Sequence, residues 1–234
     1  MRVLVTRPQP DADATAARLV AAGFHAQVDP MLVVEALGEA HLPAGRFDAV
    51  ALTSVNGARL LATRAELAGL SRLPFFTVGH RTAAAAPDHL AEMHIASGNA
   101  AALVTLLRDT LPRGARVLHV AGEDRAVELG EALAPAGIEV ALFVIYRAVP
   151  ARALAAETVA AIRAGRIDAA FHFSPRTAAT LVECAKAAGI VEDAARIAHL
   201  CFSRNVAAPL EAVGWPTRIA EAPTEEGLFA LLRG

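Results

Sequence analysis

Apolar runs of strand length alternate with helical spacings of apolar residues along almost the whole chain. The first run, over residues 2–6, breaks at Arg7, Pro8 and Pro10. Asp11 or Asp13 can cap the helix that follows, whose Ala16, Leu19 and Val20 share a face and which stops at Gly23. Strands are expected at 24–28 and 31–35, so the chain opens as β-α-β, and residues 38–45 read as a connector. Next come a strand over 47–53, a helix over 56–68, strands over 74–78 and 94–97, a helix over 100–111 and a strand over 116–120. A further helix leads to a strand over 139–145, and Pro150 begins a second connector into a helix over 153–164. The last third repeats the alternation: strand 167–173, helix, strand 197–202, helix 206–213, a short strand 218–221 and a closing helix capped near Thr224. Strands alternating with helices predict parallel sheets covered on both faces.

The pattern is written twice. Asp48, Ser54 and Ala58 recur at the same spacing as Asp168, Ser174 and Ala178. Each copy is an apolar run ending in a hydroxylated turn before a helix. Arg2, Val3 and Leu4 match Arg116, Val117 and Leu118, and Gly23 and Gly137 each lie twenty residues past the matched valine. The stretches starting at Val78 and Phe202 also match, as do those starting at Ser97 and Ala222. Four matches in one order indicate a duplicated α/β unit. Two similar domains are therefore expected, with a cleft between them and ligands at the carboxyl ends of the strands.

Composition narrows the function classes. A chain of 234 residues that is 55% hydrophobic can bury a large core. No apolar run approaches the roughly 20 residues that span a bilayer, and Arg7 comes too early for a signal-peptide core. These features predict a soluble, cytoplasmic protein. A net charge of -2 with no basic stripe argues against nucleic acid, and a single Tyr and a single Trp offer few stacking platforms for bases. Lys186 is the only lysine among 22 basic residues. Arginine suits bidentate carboxylate or phosphate binding, although genomic base composition produces the same bias. Cys184 and Cys201 have no metal-ligand spacing and point to a reducing compartment.

No dinucleotide fingerprint, phosphate loop, nucleophile elbow or zinc-protease motif occurs, and the 8 histidines fall singly. Chemistry is left to small polar turns at strand ends: Thr6-Arg7, Thr53-Ser54, His80 to Thr82, Gly122 to Arg125, Ser174 to Arg176 and Ser203 to Asn205. Where such turns open helices, free backbone N–H groups and the helix dipole favour anions. A cleft ringed by them would suit a polyanion. Ser and Asn are also ordinary N-caps, and either use fits any one turn. Tyr146 ends an apolar strand, where a lone tyrosine is usually a core residue with a tethered hydroxyl. His172, inside a strand, reads as a satisfied core histidine rather than an acid or base.

Taken in order, several of these stretches resemble the uroporphyrinogen-III synthase family. They are residues 3–8, Thr53 to Ala58, Val78 to Thr82, Ser97 to Asn99, Val144 to Tyr146, Phe173 to Pro175 and Ser203 to Ala207. The resemblance covers essentially the whole chain. It implies two α/β domains joined by a two-stranded linker: residues 1–36 with 150–234 as one discontinuous domain, and 37–149 as the other. It also implies a lyase without cofactor or metal, which closes hydroxymethylbilane to uroporphyrinogen III with inversion of ring D in haem biosynthesis. The expected enzyme is a monomer, with the preceding and following pathway enzymes as candidate protein partners and no nucleic-acid or membrane partner.

Carried over by resemblance, Tyr146 assists loss of the substrate hydroxyl. Arg7, Thr53, Ser54, Thr82, Gly122, Ser174, Arg176 and Asn205 are the expected substrate-binding positions. Two positions depart from the family pattern. Asn56 stands where other members have Arg, leaving a carboxylate contact to Arg59 or Arg176, and Asn205-Val206 stands where some have Thr-Thr. The competing readings are a non-catalytic ligand-binding or regulatory module of the same fold and an α/β sugar- or nucleotide-binding protein. The latter should carry a secretion signal or a phosphate loop, and neither is evident.

Overall fold

A computed structural model describes residues 1–124 and 128–233; Arg125, read above as part of a turn, lies outside the described residues. The chain begins with β1 (Arg2–Val5), α1 (Asp11–Ala21), β2 (His25–Val28) and β3 (Leu32–Ala36). It continues with β4 (Ala49–Leu52), α2 (Val55–Leu61), α3 (Leu67–Leu70), β5 (Pro74–Thr77), α4 (His80–Ala83), β6 (Glu92–Ile95) and α5 (Ala100–Thr110). Then follow β7 (Arg116–Gly122), α6 (Leu129–Leu133), β8 (Glu139–Pro150), α7 (Ala156–Arg163), β9 (Ala169–His172) and α8 (Pro175–Ala188). The chain closes with α9 (Val191–Ala194), β10 (Ala198–Cys201), α10 (Arg204–Glu211), β11 (Thr217–Ile219) and α11 (Glu225–Arg233).

Two compact units result. Unit 1 comprises Met1–Val33 and Val149–Gly234, and unit 2 comprises Val34–Ala148. One sheet runs β11-β10-β9-β1-β2 and the other β3-β8-β7-β4-β5-β6. Every strand pair from β1 to β11 in the first sheet is parallel, as are the β8-β7, β7-β4, β4-β5 and β5-β6 pairs of the second. Central strands β4 and β9 are buried along their whole length, as an apolar run in a sheet covered on both faces must be. Successive residues feed opposite layers: Leu4 and Ala170 pack in one core of unit 1, and Val3, Val5 and Phe171 in the other. Unit 2 divides in the same way, with Val50 and Leu52 on one face and Ala49 and Ala51 on the other.

The duplication is physical. Aligning Asp48 with Asp168 makes β9 the counterpart of β4, β10 of β5, β11 of β6, β1 of β7 and β2 of β8. The order β11-β10-β9-β1-β2 is then that of β6-β5-β4-β7-β8. Each repeated aspartate holds the same bond. Asp48 accepts from the Arg116 N–H at 2.7 Å, and Asp168 from the Arg2 N–H at 2.5 Å. Ser54 and Ser174 both cap their helices, with φ/ψ of -147°/150° and -147°/151°, and Ala58 and Ala178 are both fully buried behind them. The matched Gly23 and Gly137 both hold positive φ, 84° and 71°, where a side chain would be strained.

Two expectations need correction. The helix expected over 56–68 is two, because the chain turns at Arg64. That guanidinium donates to the carbonyls of Leu37 and Ala40 at 3.1 and 2.6 Å and pairs with Glu66 at 2.7 Å, so the break satisfies the connector's backbone. The strand expected to end at residue 145 continues to Pro150. Its neighbour explains the extension: Leu37 N–H bonds Ile145 O at 2.8 Å and Ala151 N–H bonds Met31 O at 3.0 Å, opposite in sense along β3 and β8. β1, α1 and β2 form the expected parallel β-α-β unit, and β3 joins the six-stranded sheet beside β8.

Candidate active site

At the carboxyl ends of β4 and β7 in unit 2, Thr53, Ser54, Gly98, Asn99, Gly122 and Tyr146 line one pocket of about 400 Å³. The site is assembled from backbone economy. Ser54 leaves β4 extended, and its Oγ accepts the Gly57 N–H at 2.9 Å, capping α2. The same oxygen lies 2.8 Å from the Tyr146 hydroxyl, which reaches it from β8. Tyr146 is only 9% exposed, and its neighbour across the sheet is Gly122, at an irregularity in the β7-β8 register. A Cβ on Gly122 would lie 2.6 Å from the tyrosine ring, so the ring rests directly on the glycine backbone.

Two further walls are set by polar groups. Thr53 Oγ1 lies 2.9 Å from Nε2 of His119, a β7 residue that is 3% exposed. On the other side Asn99 accepts the Ala102 N–H at 2.8 Å and opens the eleven-residue α5 toward the pocket. The free first-turn N–H groups of that helix form a partial positive charge at the wall. Gly79 passes close beside Gly98, where a Cβ would lie 3.1 Å from the Gly98 Cα, and this close approach lets the two loops meet.

Of the positions expected from the sequence, Thr53, Ser54, Gly122 and Tyr146 therefore come together. Thr82 does not line this pocket; it is 3% exposed within α4. The remaining four lie in unit 1. Arg7 pairs with Asp11 at 3.0 Å, donates to Thr15 Oγ1 at 3.2 Å and stands 4.2 Å over the Phe173 ring. Ser174 caps α8 by accepting the Thr177 N–H at 3.2 Å. Arg176 is half-buried in the first turn of α8, and Asn205 is exposed at the start of α10. Sequence reasoning missed Asn99 and His119 as site components. The Gly98-Asn99 step before a helix was the available signal for the first. His119 lies inside a strand and gave no signal.

His172 is not the fully satisfied core residue expected. Its Nε2 lies 2.9 Å from His199 Nδ1, and its buried Nδ1 has no hydrogen-bond partner among the described residues. His199 Nε2 lies 3.1 Å from Ala194 O, a carbonyl that can only accept, so both bonds run in one direction and His172 keeps a bare lone pair at Nδ1. His199 also stacks on Trp215 at 4.7 Å. Burial, with the neighbouring His199 second, drives His172 well below the ordinary histidine value, and burial lowers His199 to about 4. Burial likewise pushes the Cys201 thiol up to about 12, so it is no nucleophile. No metal-binding cluster of His, Cys, Asp or Glu occurs among the described residues, and no helix there is long and apolar enough to cross a membrane.

Fold and pocket together define a duplicated α/β protein with a hydroxyl-lined pocket at the strand ends of unit 2. The sequence model of uroporphyrinogen-III synthase HemD matches residues 13–230, and the chain belongs to that family. Membership places it in tetrapyrrole biosynthesis as a cyclising lyase. Among solved structures, the uroporphyrinogen-III synthetase of Helicobacter pylori is similar, with a TM-score of 0.67 and 17% identity over 100% of this chain and 99% of that one. A mutant uroporphyrinogen III synthase from Thermus thermophilus gives a TM-score of 0.54 and 20% identity over 100% and 98%. No curated protein matches the sequence.

Proposed function

We propose that the chain converts hydroxymethylbilane to uroporphyrinogen III with inversion of ring D and release of water, and that Tyr146 is its catalytic residue. The observation that carries the reading is the Tyr146 hydroxyl held 2.8 Å from Ser54 on the wall of the pocket where α5 begins. The reaction asks little covalent chemistry of the protein. Protonation of the leaving hydroxyl by Tyr146 releases water, and the pyrrole nitrogen lone pair stabilises the resulting azafulvene cation. The substituted carbon of ring D then attacks to give a spiro intermediate. That carbon's original bond to the bridging methylene breaks, and the free α-carbon of ring D closes onto that methylene, which inverts the ring. The proton lost as the final pyrrole becomes aromatic again balances the one delivered at the start. Unaided, the bilane closes to the uninverted isomer, so holding it in the reactive pose supplies most of the catalysis.

The substrate carries carboxylates around every ring. The α5 first turn is suited to receive one of them, and Thr53 supplies a hydroxyl beside it. Thr82, Ser174, Arg176 and Asn205 are proposed as further contacts. Gly122 contributes by letting the tyrosine ring lie flat against the backbone. The test is a coupled assay in which hydroxymethylbilane is generated in place, the products are oxidised, and the ring isomers are separated. A predominance of type III isomer supports the reading. Type I alone, from folded protein, overturns it in favour of a binding module that kept the fold without the reaction.

A further inference from the structure

Resting on that reading, we propose that Ser54 and Tyr146 act as one proton-donating unit, so that Ser54 replaces Tyr146 as donor when the phenol is removed. Two hydroxyls in contact hold two protons, and their mutual bond, 2.8 Å long, uses one. Ser54 Oγ already accepts the Gly57 N–H at 2.9 Å, which fixes the oxygen in place whichever hydroxyl donates to the other. The pair therefore always leaves a single proton directed away from their shared bond. With Ser54 donating, the free proton sits on Tyr146; with Tyr146 donating, it sits on Ser54. Both residues line the same pocket, so either oxygen can offer that proton to a leaving hydroxyl there. Delivery leaves a negative oxygen that the remaining hydroxyl stabilises by donating to it. The proton released when the pyrrole regains aromaticity restores the pair.

The arrangement makes a specific forecast about combined variants. In Tyr146→Phe the serine proton, no longer bound to the phenol, turns to the pocket. In Ser54→Ala the phenol keeps its own proton. Only the double variant has no donor. Each single variant should lose no more than about threefold in kcat, so that independent effects would multiply to only about tenfold, and the double variant about a hundredfold to ten-thousandfold, the range a general acid supplies. A double-variant loss equal to the product of the single losses overturns the shared donor and makes the hydroxyls independent contacts. A double variant no worse than Tyr146→Phe also overturns it, leaving Ser54 a positioning residue only.

Ser54→Ala removes a helix cap as well, so Ser54→Thr, which keeps both the cap and the hydroxyl, should restore kcat. Because Tyr146 is the only tyrosine in the chain, labelling tyrosine Cζ with carbon-13 gives a single resonance from the site. That resonance should shift in Ser54→Ala and return in Ser54→Thr; an unmoved resonance in Ser54→Ala overturns the paired hydroxyls without reference to activity. A wild-type protein that forms no type III isomer overturns the reaction, and with it the shared donor's role there, while the resonance still decides whether the bond exists.

Discussion

The ring of Tyr146 lies so close over Gly122 that a Cβ on the glycine would fall 2.6 Å from two ring carbons. Real Cβ contacts do not reach that distance, so one partner must move. The ring is the mobile one, but it is 9% exposed and packs with Val120, Phe143 and Ile145 in one core. Gly122→Ala should therefore push the phenol away from Ser54. Overpacking costs about 1–3 kcal/mol of stability, while Ser54 can still donate in place of the displaced phenol, so the rate should fall no further than in Tyr146→Phe. The expected outcome is a folded but less stable protein with kcat lowered and KM little changed, read by the coupled assay beside urea denaturation. Unchanged kcat would show that the tyrosine position does not matter to the reaction.

Asn99 serves two roles that substitution can separate. Its side chain caps α5 at 2.8 Å, and the residue lies on the pocket wall. Asn99→Ala should cost about 1 kcal/mol of stability. Asn99→Asp keeps a good cap but sets a negative charge where a substrate carboxylate would dock. Stability should hold in Asn99→Asp while KM rises severalfold and kcat changes little. A KM as low as that of wild type in Asn99→Asp would remove the α5 first turn from the proposed carboxylate contacts.

The buried His172-His199 pair is expected to weaken the fold in acid. Burial lowers His199 from 6.5 to about 4, and His172 is depressed by burial and by the facing His199. Their folded-state values lie below the unfolded ones, so the unfolded chain binds more protons as pH falls below 6.5, and stability declines through that window. For His199 the separation from 6.5 to about 4 corresponds to about 3 kcal/mol, fully lost only below the folded value. Unit 2 places Leu52 and Phe75 at the matching sheet positions, since Ala170 pairs with His199 as Val50 pairs with Phe75. The double replacement His172→Leu with His199→Phe should flatten the decline in urea midpoint between pH 6.5 and about 4. A decline as steep as that of wild type would assign acid lability elsewhere.

These results show where sequence reasoning succeeds and where it stops. Ser54 and Ser174 were legible as a repeat because each caps its own helix through a local bond, whereas Asp48 and Asp168 were legible only as a recurring residue, since their bonds reach residues 68 and 166 positions away. The extension of β8 to Pro150 was not legible, because its hydrogen bonds go to residues 31–37, more than a hundred positions away. The contact between Ser54 and Tyr146 is similarly remote, at 92 positions, and no periodicity encodes it. Gly122 was marked as the start of a polar turn at a strand end and again through the family resemblance, but not as a support for Tyr146. The physical demand on it, a ring lying on its backbone, exists only after β7 and β8 have paired. His119 shows the same limit, since a histidine in an apolar strand looks alike whether its ring meets a core residue or Thr53.

Arg7 is the candidate whose assignment the structure most changes in emphasis. Its guanidinium is 12% exposed and is engaged with Asp11 and Thr15 on α1, with Phe173 beneath it and Glu225 of α11 at 4.0 Å. Those partners join the ends of three elements of unit 1, and Glu225 also pairs with Arg18. Arg7→Ala removes a half-buried ion pair and a cation over an aromatic face, at a combined cost of about 2 kcal/mol. Arg7→Lys keeps the charge but loses the planar fork, so it should recover only part of that stability. If Arg7 is a structural clamp, both variants lower the urea midpoint while KM for the bilane stays near wild type in the folded fraction. If it grips substrate, KM rises in both while the midpoint barely moves. The engaged geometry predicts the first outcome, which would leave Arg176 as the unit 1 arginine to examine for carboxylate binding.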